Sequence, residues 1–202
     1  TSAGPEPQSC SHPLRSLLIA QFCGAFNDNA WKLMVALLAI RQATVGLAPG
    51  PELETIAQTQ TAMAFVIFTL PLMLLSLVGG TLADRASKRT VIISIKVVEV
   101  FLMAAGTAAL WLSPAGGILP LIVLCGMGVH SALFSPSKYG ILPELVSHER
   151  LAAGNGLLEM WTFAAILTGT ASGGFLLQMA GDHIWLAPLA LTGLSVIGLA
   201  TA

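Results

Sequence analysis

Gly80-Thr81-Leu82-Ala83-Asp84-Arg85-Ala86-Ser87-Lys88-Arg89 is a short charged stretch between two long apolar runs. Asp84, Arg85, Lys88 and Arg89 crowd into it, although charged residues make up only 9% of the chain and hydrophobic ones 55%. Four such groups in so few residues cannot rest in hydrocarbon, where each charge costs about 2.5–3.5 kcal/mol at the bilayer centre. The stretch therefore marks a membrane boundary, and the runs on either side of it are the first two helices to place.

Composition agrees with a bilayer as solvent. The mean hydropathy is +0.81, and a soluble domain of 202 residues would carry far more polar surface. Lys and Arg number 9 against 10 Asp and Glu, so the chain lacks the basic footprint of a nucleic-acid binder. Cys10, Cys23 and Cys125 have neither paired nor metal-type spacing, and no cofactor is expected.

A spanning helix takes about 20 mostly apolar residues. Segments near 16–40, 56–82, 90–112, 117–137, 151–178 and 184–202 meet that need. Ala48-Pro49-Gly50-Pro51, Ser113 to Gly117, Pro136 to Arg150 and Gly181-Asp182-His183 supply other breaks. The runs lack the alternation of a β-barrel strand. We expect an all-α membrane protein, with residues 1–13 as a polar cytoplasmic tail and 14–202 as a six-helix transmembrane bundle. The apolar run still open at Ala202 suggests a fragment of a longer protein.

Basic residues set the orientation. Arg15, the cluster Arg85, Lys88 and Arg89, and then Lys138 and Arg150 fall on one side; Arg41, Glu52, Glu54 and Asp182 fall on the other. The N-terminus and the even-numbered loops are thus expected in the cytoplasm.

Charges inside the spans are the candidate site. Asp28 and Lys32 are four apart and share a helix face. Asp28 lies roughly 18 Å along the first helix, near mid-membrane. Asn27 and Asn29 flank it with amide donors and acceptors. An ion pair that only stabilises the bundle is the competing explanation. Lys96 and Glu99 form a second pair on the third helix; Lys96 is shallow enough to snorkel to the interface, whereas Glu99 needs a partner or a proton. Glu159 has no cation three or four residues away, so its partner must come from another helix, from substrate or from a proton. A lone His130 reads as a hydrogen-bonded structural residue. Gly169 and Gly173 put small residues on one face of the fifth helix and suit close internal packing.

Enzyme signatures are absent: there is no Gly-x-Ser-x-Gly elbow, P-loop or His-Glu-x-x-His motif. His130, His148 and His183 each lack the Asp five residues on that an acyltransferase pair requires. The chain is not expected to be an enzyme.

The charged stretch resembles the cytoplasmic loop between helices two and three of major facilitator transporters, Gly-x-Leu-Ala-Asp-Arg-x-Gly-Arg-Lys. It agrees at Gly80, Leu82, Ala83, Asp84, Arg85, Lys88 and Arg89, and departs at Ser87, where that family prefers glycine. Three further stretches resemble a narrower group: Gln21 to Asn29, Phe134-Ser135-Pro136-Ser137-Lys138-Tyr139-Gly140-Ile141-Leu142-Pro143-Glu144-Leu145, and Ala153 to Glu159. They are similar to the bacterial lysophospholipid transporters, and to the transporter-like domain that some bacteria fuse to an acyltransferase and an acyl-carrier-protein ligase.

This resemblance implies the N-terminal six-helix half of a twelve-helix major facilitator fold, built from two inverted three-helix repeats. It implies flipping of lysophospholipid across the bacterial inner membrane for reacylation, with membrane lipid and a possible acyltransferase as partners. Asp28, Lys138 and Glu159 fall on family-like charged positions, with the two carboxylates as ammonium acceptors and Lys138 as a phosphate contact or gate. Asn27, Lys32, Lys96 and Glu99 complete the expected substrate set; Gly80, Asp84, Arg85, Lys88 and Arg89 form the expected gating loop. The loop alone equally fits a proton-coupled facilitator of another solute or drug. A non-transporting membrane module feeding a fused acyltransferase is the remaining alternative.

Overall fold

The computed structural model describes the backbone of residues 12–85 and 87–202, and the side chains of 13–80 and 87–202. Six long helices follow one another: α1 (His12–Ala43), α2 (Pro51–Arg85), α3 (Lys88–Leu112), α4 (Ile118–Leu145), α5 (Leu151–Ala180) and α6 (Leu186–Ala200). A single 3-10 turn, His148–Arg150, leads into α5, and no strand occurs among the described residues. The tail expected over 1–13 lies outside the described residues as far as 11, and α1 already begins at His12.

The ends follow local chemistry. Pro51 opens α2, with Glu52 and Glu54 in its first turn, where a missing N–H costs nothing and carboxylates meet the positive end of the helix dipole. Ser87 caps α3 at φ −59°, and its Oγ accepts from the Thr90 amide at 3.2 Å. Where the related loops carry glycine, this serine needs no left-handed backbone and serves as the cap.

One expectation needs correction. The fourth helix does not stop at Pro136. It runs through Pro136 and Pro143 to Leu145, because a spanning helix tolerates proline when neighbouring helices and local adjustment accommodate the freed carbonyl. Lys138 is therefore a helical, buried residue and not a loop cation. Of the six expected spans, four helical stretches are long and apolar enough to cross a membrane on their own terms: Pro51–Gly80, Lys88–Leu112, Ile118–Leu145 and His148–Ala180. α1 has the length, at 32 residues, but carries the polar run Asn27-Asp28-Asn29 and Lys32. α6 has 15 residues, about 22 Å at the helical rise, against about 30 Å of hydrocarbon.

α2 packs on α4 and α1 on α5, while α3 packs on α4 and α6, and α1 also on α6. Exchanging helices 1, 2 and 3 with 4, 5 and 6 maps the first pair onto the second, and α3–α4 onto α6–α1. Glycines make both strong crossings close. Gly79 faces the Ala132 carbonyl and Gly128 that of Phe68. On the other crossing, a Cβ at Gly169 or Gly173 would lie 2.5 Å from the Phe26 carbonyl or 2.6 Å from that of Ala30. Such contacts let backbones approach where lipid offers no hydrophobic drive for association.

Two apolar clusters fill the interior. Trp31, Met34, Met103, Leu110, Leu124, Met127 and Leu191 pack in one; Leu17, Ile92, Ile95, Phe134, Leu142 and Leu158 pack in the other. α2 and α5 expose Met73, Leu74, Leu77, Phe163, Leu167, Phe175 and Met179, as helices facing lipid or another apolar body do.

Candidate functional site

The charges of α1 look into a cavity of about 230 Å³ bounded by α1, α2, α4 and α5. Asp28 and Lys32 line it from α1, Phe68 from α2, His130, Ser131 and Lys138 from α4, and Thr162 from α5. Gln21 Nε2 donates to Thr162 Oγ1 at 2.8 Å and ties α1 to α5 beside it.

Asp28 and Lys32 share a face but do not pair. Among the described residues the ion pairs are Lys88–Glu144, Lys96–Glu99 and the close approach of His130 to Glu99. Asp28 Oδ2 instead accepts from Ser131 Oγ at 2.5 Å, and Oδ1, also buried, has no hydrogen-bond partner. Lys32 Nζ donates to Asn29 Oδ1 at 3.1 Å. The same ammonium stands 4.7 Å from the Phe65 ring centre and 4.6 Å from that of Phe68. Asp28 and Lys32 are thus kept apart by Asn29 of α1 itself together with partners from α2 and α4.

Lys96 does not snorkel. It and Glu99 are wholly buried and paired at 2.7 Å, and Lys96 Nζ also donates to the Ala20 carbonyl at 2.6 Å. Gly24 makes the room: a Cβ there would stand 2.8 Å from Lys96 Nζ. Asn27 Nδ2 completes the cluster, donating to Glu99 Oε1 at 3.1 Å and to the Leu191 carbonyl at 3.2 Å. None of Asn27, Lys96 and Glu99 lines the cavity; they form a sealed polar knot behind it. His130 spans the two: it lines the cavity, and its Nε2 lies 3.6 Å from Glu99 Oε2.

Glu159 lies on α5, half-buried, and accepts a hydrogen bond from Tyr139 on α4. Its partner does come from another helix, but it is a neutral phenol and not a cation. Lys138 Nζ sits 4.8 Å from the Tyr139 ring centre, so Lys138, Tyr139 and Glu159 form a chain running away from the cavity.

The side chains of Asp84 and Arg85 fall outside the described residues. Lys88 bonds Glu144 at 2.7 Å across the exposed α3–α4 surface, a contact of small energetic weight. Arg89 borders a larger opening, about 570 Å³, between the ends of α1, α3, α4 and α6, and neither Asp28, Lys32, Lys138 nor Glu159 reaches it. A Cβ at Gly80 would touch nothing, whereas Gly79 beside it packs on α4. Sequence reasoning passed over Ser131, Phe65, Phe68 and Tyr139. Only Tyr139 carried a signal, standing inside the stretch shared with the lysophospholipid transporters.

Long apolar helices around a small, charged, partly enclosed cavity define a multi-pass membrane protein of the transporter class. The family described as "Transmembrane secretion effector" matches residues 53–201, and the chain belongs to that family of major facilitator proteins. Curated relatives named "Lysophospholipid transporter LplT" are similar to it. The one from Salmonella arizonae is 34% identical over 183 residues, covering 91% of this chain and 40% of the relative. That of Photorhabdus laumondii is 35% identical over 166 residues, covering 81% and 36%; that of Salmonella typhimurium is 36% identical, covering 82% and 36%. The chain spans about two fifths of the length of these relatives. No solved structure matches it.

Proposed function

We propose that this chain is the N-terminal six-helix half of a facilitator that flips lysophospholipid across the bacterial inner membrane, with α1–α3 and α4–α6 as its inverted repeats and the N-terminus in the cytoplasm. Asp28 carries the reading: a buried carboxylate at a cavity wall, one oxygen held by Ser131 and the other without a partner. An uncompensated charge in that setting is costly, and a substrate ammonium relieves the cost during transit. Lys32 and Lys138 on the same cavity offer cations to a phosphate. The acyl chain stays against the exposed apolar faces of α2 and α5. The relatives, named as lysophospholipid transporters, point to the same substrate.

Within this reading, Asn27, Lys96 and Glu99 act from behind by fixing α1, and Glu159 with Tyr139 receives the headgroup after Lys138. The stretch Gly80, Asp84, Arg85, Lys88 and Arg89 is the cytoplasmic gate. Lys88, Arg89 and Arg150 on one side, against Arg41, Glu52, Glu54 and Asp182 on the other, favour a cytoplasmic N-terminus without Lys138. Flipped lipid would be handed to a reacylating enzyme, fused or separate.

The test is uptake of labelled lysophosphatidylethanolamine by spheroplasts that lack other lysophospholipid transport, with and without the intact protein. Uptake above background that unlabelled lysophospholipid suppresses supports the proposal. Background-level uptake by protein present at normal abundance refutes it.

A further inference from the structure

We propose that Phe65 and Phe68 of α2 are positioning residues that hold Lys32 off Asp28 and so keep two opposite charges apart across the cavity for a zwitterionic headgroup. The inference rests on the reading of Asp28 as the ammonium site and adds the device that keeps it open.

Spacing alone does not explain why Asp28 and Lys32 stay unpaired. An Asp four residues before a Lys on one helix face normally forms an ion pair, and low dielectric strengthens the attraction. Here Asp28 and Lys32 form no such pair among the described residues. Lys32 Nζ is diverted to Asn29 Oδ1 at 3.1 Å and stands 4.7 and 4.6 Å from the ring centres of Phe65 and Phe68. Each ring face attracts an ammonium, and more strongly where water is excluded; Lys32 is only 9% exposed. Two rings and an amide oxygen together substitute for the carboxylate.

The consequence falls on Asp28. With Lys32 seated on α2, Asp28 Oδ1 has no partner while Oδ2 is fixed by Ser131. Were Lys32 to fold onto Asp28, both charges would be satisfied internally, and a headgroup would have to break the pair in order to bind. The seat removes that competition. It leaves the carboxylate open to ammonium, and keeps the Lys32 ammonium on the cavity wall, paired with no carboxylate among the described residues, where a phosphate can reach it. Separated charges fit a headgroup in which phosphate and ammonium are themselves apart. Gly128 on α4 sets the seat's position, since it lets the backbone at Phe68 approach closely.

Phe65 is the better probe, being 47% exposed and outside the buried core. In the intact protein, the apparent KM and maximal rate of labelled lysophosphatidylethanolamine uptake are measured for Phe65→Leu, Phe65→Tyr and Asp28→Asn at matched abundance. Phe65→Leu is expected to raise KM about tenfold, which is about 1.4 kcal/mol, with maximal rate near parental. Phe65→Tyr, which keeps the ring face, stays near parental, and Asp28→Asn loses uptake. Loss of uptake in Asp28→Asn together with parental KM in Phe65→Leu overturns the seat alone. So does equal impairment of the Leu and Tyr variants, or a fall in maximal rate at unchanged KM. Parental uptake in Asp28→Asn overturns the ammonium-site reading, and the seat with it.

Discussion

Ser131 Oγ donates to Asp28 Oδ2 at 2.5 Å, joining α4 to α1 at the wall of the cavity. The bond links the two halves of the bundle: α1 opens the first three helices and α4 the second. It also fixes the direction in which the carboxylate points. A hydrogen bond to a charged group contributes about 1.5–3 kcal/mol.

Ser131→Ala should therefore weaken uptake about tenfold or more without lowering the amount of inserted protein, because the serine is partly exposed and alanine is close to it in size. Ser131→Thr, which keeps the hydroxyl, should recover most of the activity. Uptake by the alanine variant equal to the parent would show that Asp28 needs no fixing from α4.

The Lys96–Glu99 pair should behave as a structural knot. Glu99→Leu alone leaves Lys96 buried without its counter-charge and should cost about 3–5 kcal/mol of stability. The double variant Lys96→Met with Glu99→Leu should recover most of that loss. Thermal unfolding of the purified protein in detergent measures both. A double variant no better than Glu99→Leu would indicate that the pair's cost lies in Asn27, which Glu99 holds at 3.1 Å.

Close packing at the α1–α5 crossing gives a third expectation. A Cβ at Gly169 would meet the Phe26 carbonyl at 2.5 Å, so Gly169→Val must push α5 off α1 and lower the unfolding temperature. Gly156→Ala, whose Cβ meets nothing within 4 Å, should be silent or slightly stabilising, since alanine favours helix by about 1 kcal/mol over glycine. Equal effects at the two sites would remove the argument for close packing.

Orientation can be read at the α2–α3 connection. With Cys10, Cys23 and Cys125 replaced by serine, Ser87→Cys should react with a membrane-impermeant maleimide only after the cells are opened. Labelling in intact cells would invert the topology and place the N-terminus outside.

Helix number was legible because turn residues and charges break the apolar runs cleanly at Gly50-Pro51, at Ser87 and at Gly181 to His183. Pro136 misled, since the rule that proline ends a helix comes from water and loosens in a packed bundle. That one residue also moved Lys138 from loop to cavity wall. The site was legible one helix at a time. Spacing predicted Asp28 with Lys32 and Lys96 with Glu99, and held only for the second pair. Asn29, three residues from Lys32 on α1, takes one of its donors; the other partners are Ser131 from α4 and Phe65 and Phe68 from α2, and a single sequence does not encode which helices meet. Lys96 remained inside for a similar reason: Gly24 and the Ala20 carbonyl on α1 give its ammonium a seat that nothing on α3 foretells.

The central claim is that Asp28 receives the substrate's ammonium. The most direct measurement is uptake of labelled lysophosphatidylethanolamine by the Asp28→Asn variant of the intact protein, with membrane abundance matched to the parent. Asparagine keeps the shape and the Ser131 contact but removes the charge, so the account predicts uptake at background with insertion unchanged. Uptake at the parental rate would contradict it.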